Sequence, residues 1–323
     1  MTDTGADRSA ARVPGAGPGG AEAPDSPPAA APPPPPPAPP TPASRTVRFA
    51  WVAVVVILAG VVALVAYALT DATPAQQVAH PPATPAGTLT QLATVPVDTF
   101  NDVGATTTPP LTLQAPTVLR GQPRLLSGGK PEVLFVGAEF CPFCAAERWP
   151  LVVALSRFGR FTRLYDTASS PDAVFPGIQT FTFTKADYIS RYVTLTGVEL
   201  YSNGTEPDGT FARIAALTPD QQALVDRYRP SSPPGSLPGD FPFVDIGNTV
   251  ATATSAFSPT LLVHQSQAAI AGDLAQAQTP AGQAIVAAAN QLTAGICAST
   301  GQQPARVCAT RGVKAAGAAM GLA

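Results

Sequence analysis

Large apolar side chains are distributed along this chain in three ways, and each predicts a different kind of segment. They are sparse up to residue 44 and again from Thr70 to about residue 116. They run without interruption from Phe49 to Leu69. From residue 117 to about 312 they alternate with polar residues or recur at helical spacing, as in the strands and helices of a folded domain. The uninterrupted run predicts a transmembrane helix, since at about 1.5 Å per residue it spans roughly 30 Å, the hydrocarbon thickness of a bilayer. Arg45 and Arg48 precede it and Asp71 follows, so the positive-inside rule puts the N-terminus in the cytoplasm and the rest outside. Ala66-Tyr67-Ala68 resembles a signal-peptide cleavage site, but the long span and the long tail ahead of it favour an anchor.

Within the domain, residues 133–137 form an apolar run of strand type that leads into Cys141-Pro142-Phe143-Cys144, and residues 145–158 read as an amphipathic helix. Residues 160–166, 180–184 and 192–196 alternate as strands, and Asn203-Gly204 signals a turn. Thr218-Pro219-Asp220-Gln221 supplies a cap, a first-turn proline and a Gln that reaches back, predicting a helix to about Tyr228. A Ser/Pro/Gly loop over 230–239 precedes a short strand over 241–248 that Pro242 introduces and Gly247-Asn248 closes. Helices over 267–277 and 280–296, the second capped by Thr279, complete the domain.

Composition sharpens this division. The chain has 38 prolines among 323 residues, many of them before residue 120, where they break any core-forming pattern. Residues 1–48 are therefore expected to be a disordered Pro/Ala-rich cytoplasmic tail, 49–69 the transmembrane helix, 70–116 a flexible extracytoplasmic tether, 117–312 the domain and 313–323 a disordered tail. Charged residues are 12% and the net charge is -2, so no basic field argues for nucleic acid as a partner. Two histidines, His80 and His264, are too few for a His-rich metal site, and nothing implies a cofactor.

The candidate chemistry is the Cys-x-x-Cys pair. At a strand-to-helix junction the first thiol meets free amide groups and the positive end of the helix dipole, which favours its thiolate. Cys141 is thus the expected exposed, attacking thiol and Cys144, one turn on, the resolving one. The competing reading is a permanently oxidised staple. Cys297 and Cys308 suit a structural disulfide closing a loop of about ten residues, worth about 2 to 3 kcal/mol, with an electron shuttle to the first pair as the sharper alternative. Zinc would want a second short Cys-x-x-Cys, and copper at Cys141, Cys144 and His264 a wider cysteine spacing. Arg148, four residues after Cys144, either pairs with an acid, stabilises a thiolate, or lies on a solvated helix face.

Ala138-Glu139-Phe140-Cys141-Pro142-Phe143-Cys144 resembles the Ala-Glu-Trp-Cys-Gly-Pro-Cys segment of thioredoxins, and its Cys-Pro-aromatic-Cys core looks like the glutaredoxin pattern. This resemblance implies an α/β thioredoxin-like domain with extra strands and C-terminal helices behind the single transmembrane helix. It also implies a cis proline at Pro242 that faces the dithiol. The wider run Gly137 to Pro150, residues 154–159 and 242–248, Ala289-Asn290 and the Cys297/Cys308 pair look more closely like an uncharacterised prokaryotic family of membrane-anchored, thioredoxin-like proteins of unknown function. One departure stands out: Phe135 falls where thioredoxins carry a buried Asp that assists proton transfer, leaving Glu139 or Glu147 as substitutes.

The expectation is a membrane-tethered extracytoplasmic thiol-disulfide oxidoreductase whose partners are protein thiols or disulfides of the cell envelope, with a membrane redox partner as a candidate for resetting it. Cys141 exchanges, Cys144 resolves and Pro242 orients the partner strand. The alternative is a redox-inert binding module of the envelope in which both cysteine pairs are staples.

Overall fold

The structure is a computed structural model that describes residues 56–62, 81–105, 113–228 and 241–322. The chain divides into two compact units, residues 1–70 and 71–323. In the first, residues 56–62 form a helix, α1, with exposed side chains.

In the second unit the centre of the main sheet is β3 (Lys130–Gly137), whose residues 133–136 are apolar because both faces of the strand are covered. It pairs in parallel with β6 (Thr194–Glu199) and antiparallel with β9 (Phe243–Ile246), and its first residues form a hairpin with β2 (Leu126–Ser127). Beyond β9 come β10 (Val250–Thr252) and β1 (Thr117–Val118). Two antiparallel ribbons flank this sheet: β4 (Gly159–Ala168) with β5 (Gln179–Ser190), and β7 (Tyr201–Thr205) with β8 (Phe211–Arg213).

Side chains alternate across a strand, so β3 feeds two cores. Val133 and Phe135 join the larger one with α4 (Pro142–Ser156) and α7 (Pro280–Ser299). Leu134 and Val136 join Val198, Leu200, Phe243 and Ala251 on the other face, against Leu224, Val225 and Tyr228 of α5 (Pro219–Tyr228). The expected capping box closes α5: Thr218 N–H donates to Gln221 Oε1 (2.9 Å) and Gln221 N–H to Thr218 Oγ1 (3.3 Å). Thr279 caps α7 by accepting from Gly282 N–H at 3.0 Å, after the short α6 (Gln267–Asp273).

Several expectations are corrected here. The thioredoxin-like domain behind a transmembrane helix gives way to a coarser description, a mixed α/β arrangement of sheet and helices. Among the described residues no helix is long and apolar enough to cross a membrane. Of the stretch 49–69 only α1 is described, and at about 1.5 Å per residue it covers roughly a third of a bilayer's hydrocarbon thickness. A single-pass membrane placement with an extracytoplasmic domain is therefore not supported. The tail expected over 1–48 and the loop over 230–239 lie outside the described residues, as does His80. Asn203-Gly204 belongs to β7, and the chain reverses instead at residues 206–210, where Gly209 takes φ +84.

Two stretches expected to be unstructured are packed. The supposed tether contains α2 (Ala86–Ala93) and α3 (Val97–Ala105), whose Leu92 and Phe100 lie in the larger core. The supposed C-terminal tail forms most of α9 (Arg311–Met320), which follows α8 (Ala305–Cys308) and buries Val313. Small residues make the contact between α3 and α9. A Cβ on Gly312 would stand 2.1 Å from the Phe100 carbonyl oxygen, and one on Gly104 2.7 Å from Gly312 Cα. Both clashes involve backbone, which cannot step aside as a flexible side chain can. Gly312→Ala is therefore expected to destabilise the fold by about 1–3 kcal/mol, measured by urea unfolding; an unchanged midpoint would show that α3 and α9 do not pack in this way.

Candidate functional site

The larger core delivers the two thiols. β3 ends at Gly137, Ala138 to Phe140 make a tight reversal, and Cys141 becomes the N-cap of α4 with Pro142 in the first turn, where its missing N–H leaves no bond unmade. The Cys141 sulfur takes the capping role usually filled by an oxygen, accepting from Cys144 N–H at 3.2 Å. The Cys141 thiol in turn lies 3.7 Å from the carbonyl oxygen of Phe241, to which it donates. The Phe241–Pro242 peptide is cis, so Pro242 stands beside Cys141 through its preceding carbonyl.

Cys144 is fully buried. A Cβ on Gly137 would come within 3.2 Å of its sulfur and 2.6 Å of the Phe135 ring, so the strand end must be glycine for this approach. Cys141 is only 6% exposed, a correction to the expectation of an open nucleophile. Phe140, the residue before it, stacks on Phe211 with ring centres 3.8 Å apart and meets Phe241 edge-on at 5.9 Å. Phe143, 37% exposed, rests on Phe175.

The two thiols are electrostatically unequal. A hydrogen bond from the Cys144 thiol holds Cys141 below the ordinary thiol range against the effect of burial, helped by backbone amides and by the charge of Arg148. Burial pushes Cys144 well above that range, and its bond to Cys141 adds to the rise. This asymmetry suits one attacking and one resolving thiol.

Arg148 does not lie on a solvated helix face. It is fully buried and bound in bidentate fashion to Glu199 at the end of β6, with Nε–Oε1 2.9 Å and Nη2–Oε2 2.6 Å. Nη2 also donates to the Ala138 carbonyl at 2.8 Å, and the guanidinium stands 5.3 Å from the centre of the Phe135 ring. Phe135 is fully buried, so no carboxylate serves the dithiol from that position. Glu139 is tied to the β5 hydroxyls of Thr182 (2.6 Å) and Thr184 (3.1 Å). Glu147 accepts from Ala256 N–H at 2.8 Å through Oε2, while its Oε1 is buried without a hydrogen-bond partner among the described residues. Sequence reasoning missed Glu199 as the partner of Arg148; its only signal was an acid inside the apolar frame Val198-Glu199-Leu200.

Cys297 and Cys308 are joined, with Cα atoms 5.6 Å apart, and tie the end of α7 to α8. No group of three or more His, Cys, Asp or Glu able to hold a metal occurs among the described residues, and His264 sits in a left-handed turn at φ +63.

These features define an α/β domain that presents an unbonded dithiol at a helix start, beside a cis proline. A family profile described as a domain of unknown function, DUF929, matches residues 121–298, more than half of the chain, and the chain belongs to that family. The match meets the resemblance to a family of unknown function and names no thioredoxin kinship. No curated protein and no solved structure matches the chain.

Burial of Glu147 has a measurable consequence, because it raises the carboxyl from 4.5 to about 8 against the hydrogen bond from Ala256. An acid whose folded pKa exceeds its unfolded one stabilises the fold in its protonated form. That contribution is complete below the unfolded value of 4.5 and is lost as pH rises towards about 8. Asp245, raised by burial to about 6, acts with the same sign over a narrower window. Between pH 6 and 8 the unfolding free energy should therefore fall at up to about 1.4 kcal/mol per unit, and Glu147→Gln should remove most of that slope in urea titrations. An equal slope in the variant would place the neutral acid elsewhere.

Proposed function

We propose that this protein is a thiol-disulfide oxidoreductase acting on protein thiols or disulfides through Cys141 and Cys144. The observation that carries the reading is the inequality of the two sulfurs: Cys141 caps α4 and is held low, while Cys144 lies fully buried behind it and is held high. The likeness of residues 138–144 to the thioredoxin segment, and of Cys-Pro-aromatic-Cys to glutaredoxins, supports it.

In the reducing direction the Cys141 thiolate attacks one sulfur of a substrate disulfide. A mixed disulfide forms, and the other substrate sulfur leaves as a thiolate that takes a proton from solvent. Cys144 then loses its proton and attacks the Cys141 sulfur; the Cys141–Cys144 bond closes and the second substrate thiolate departs. Two electrons pass to the substrate, and the reverse sequence oxidises a substrate dithiol. The carbonyl of Phe241, before Pro242, stands where an incoming strand would meet Cys141.

A redox-inert binding module is the second reading, favoured by the 6% exposure of Cys141. Oxidised glutathione separates the two. Cys144→Ser should accumulate a glutathione adduct on Cys141, readable by mass spectrometry, and the wild-type pair should equilibrate in the range of exchange catalysts, about -120 to -270 mV. No adduct together with a potential below about -300 mV would sink the proposal.

A further inference from the structure

The ion pair behind the dithiol is a poor device for stability. Removing a guanidinium and a carboxylate from water is expensive, and apolar side chains of similar volume often serve a fold equally well. Yet Arg148 and Glu199 have side chains 0% and 1% exposed. What the pair provides is a fixed orientation of charge. Glu199 engages Nε and Nη2, and Phe183 N–H donates to Glu199 Oε1 at 3.2 Å, holding the carboxylate on β6. Nη2 also grips the carbonyl of Ala138, whose own amide reaches the Cys144 sulfur, so the guanidinium lies one residue's backbone away from that thiol. Nη1 is buried with no hydrogen-bond partner among the described residues. The positive charge favours the thiolate form of both sulfurs, and the Glu199 carboxylate bound to it offsets part of that effect.

We propose that Arg148, oriented by Glu199, is the positioning residue that makes the Cys141–Cys144 disulfide an electron acceptor from protein dithiols. The inference rests on the exchange reading above and gives it a direction. A cation fixed behind the pair stabilises the thiolate that appears on reduction, which favours the reduced form and makes the disulfide the stronger oxidant. One substrate thiolate attacks Cys141 and displaces Cys144; the second substrate thiol attacks the mixed disulfide and displaces Cys141. The substrate gains a disulfide and loses two electrons. The protein ends as a Cys141 thiolate and a Cys144 thiol, with one of the two substrate protons retained and the other released to solvent.

The test compares three full-length proteins equilibrated with reduced and oxidised glutathione: wild type, Glu199→Gln, and the double variant Arg148→Met with Glu199→Met. The Cys141 thiolate is followed in parallel by ultraviolet absorbance against pH. Glu199→Gln keeps the shape and the acceptor oxygen but leaves the cation unneutralised. It should shift the equilibrium towards the dithiol by about tenfold, or ~30 mV, and move the thiolate titration to lower pH. The double variant removes the cation without stranding the anion and should shift the equilibrium towards the disulfide by a similar factor, with the titration moving up. Packing defects would not produce shifts of opposite sign. Changes below about threefold, or in the same direction, overturn the inference. If the double variant does not fold, the sign of the Glu199→Gln shift decides alone. A wild type that fails to exchange with glutathione defeats the underlying exchange reading; a wild type that exchanges beside unmoved variants defeats only the role of Arg148.

Discussion

The helix that carries the two thiols has no solvent face between Cys144 and Leu155, and much of the structure answers that constraint. α7 covers one side, the β4–β5 ribbon another, and α2 a third. Any polar group on α4 must therefore find a partner inside the protein or give up its charge. Arg148 takes the first course through Glu199, and Glu147 the second by staying protonated until about pH 8. Trp149 reaches across to donate from its indole to the Gln179 carbonyl at 3.0 Å, pinning the β5 ribbon to the helix.

The same burial makes the cysteine pair asymmetric. A helix start supplies amide groups to Cys141, but full enclosure supplies none of the water that would let Cys144 ionise. The dithiol thus has one sulfur held low and one held high, in a family described as of unknown function.

Enclosure also explains where the segment boundaries moved. α2, α3 and α9 are short, and α2 and α9 are built largely from Ala, Gly and Thr, so by composition they look like spacer and tail. Their glycines allow the backbones of α3 and α9 to approach closely, and the Asn290 amide of α7 donates to the Phe100 carbonyl at 2.8 Å.

By itself the sequence determined the strand that feeds Cys141-Pro142-Phe143-Cys144, the helix after it, the capped helices at Thr218 and Thr279, and the Cys297–Cys308 pairing. Each depends on neighbours within a few residues or on a short loop, where local preference dominates. The membrane helix was read from apolar composition over 49–69, a local signal that the described residues do not bear out. Only the tertiary structure decided that Arg148 meets Glu199 across fifty-one positions, that Glu147 is enclosed with one oxygen unpartnered among the described residues, and that Cys141 is nearly covered. Those outcomes depend on which elements close over α4, a matter of long-range packing that no pattern along the chain encodes.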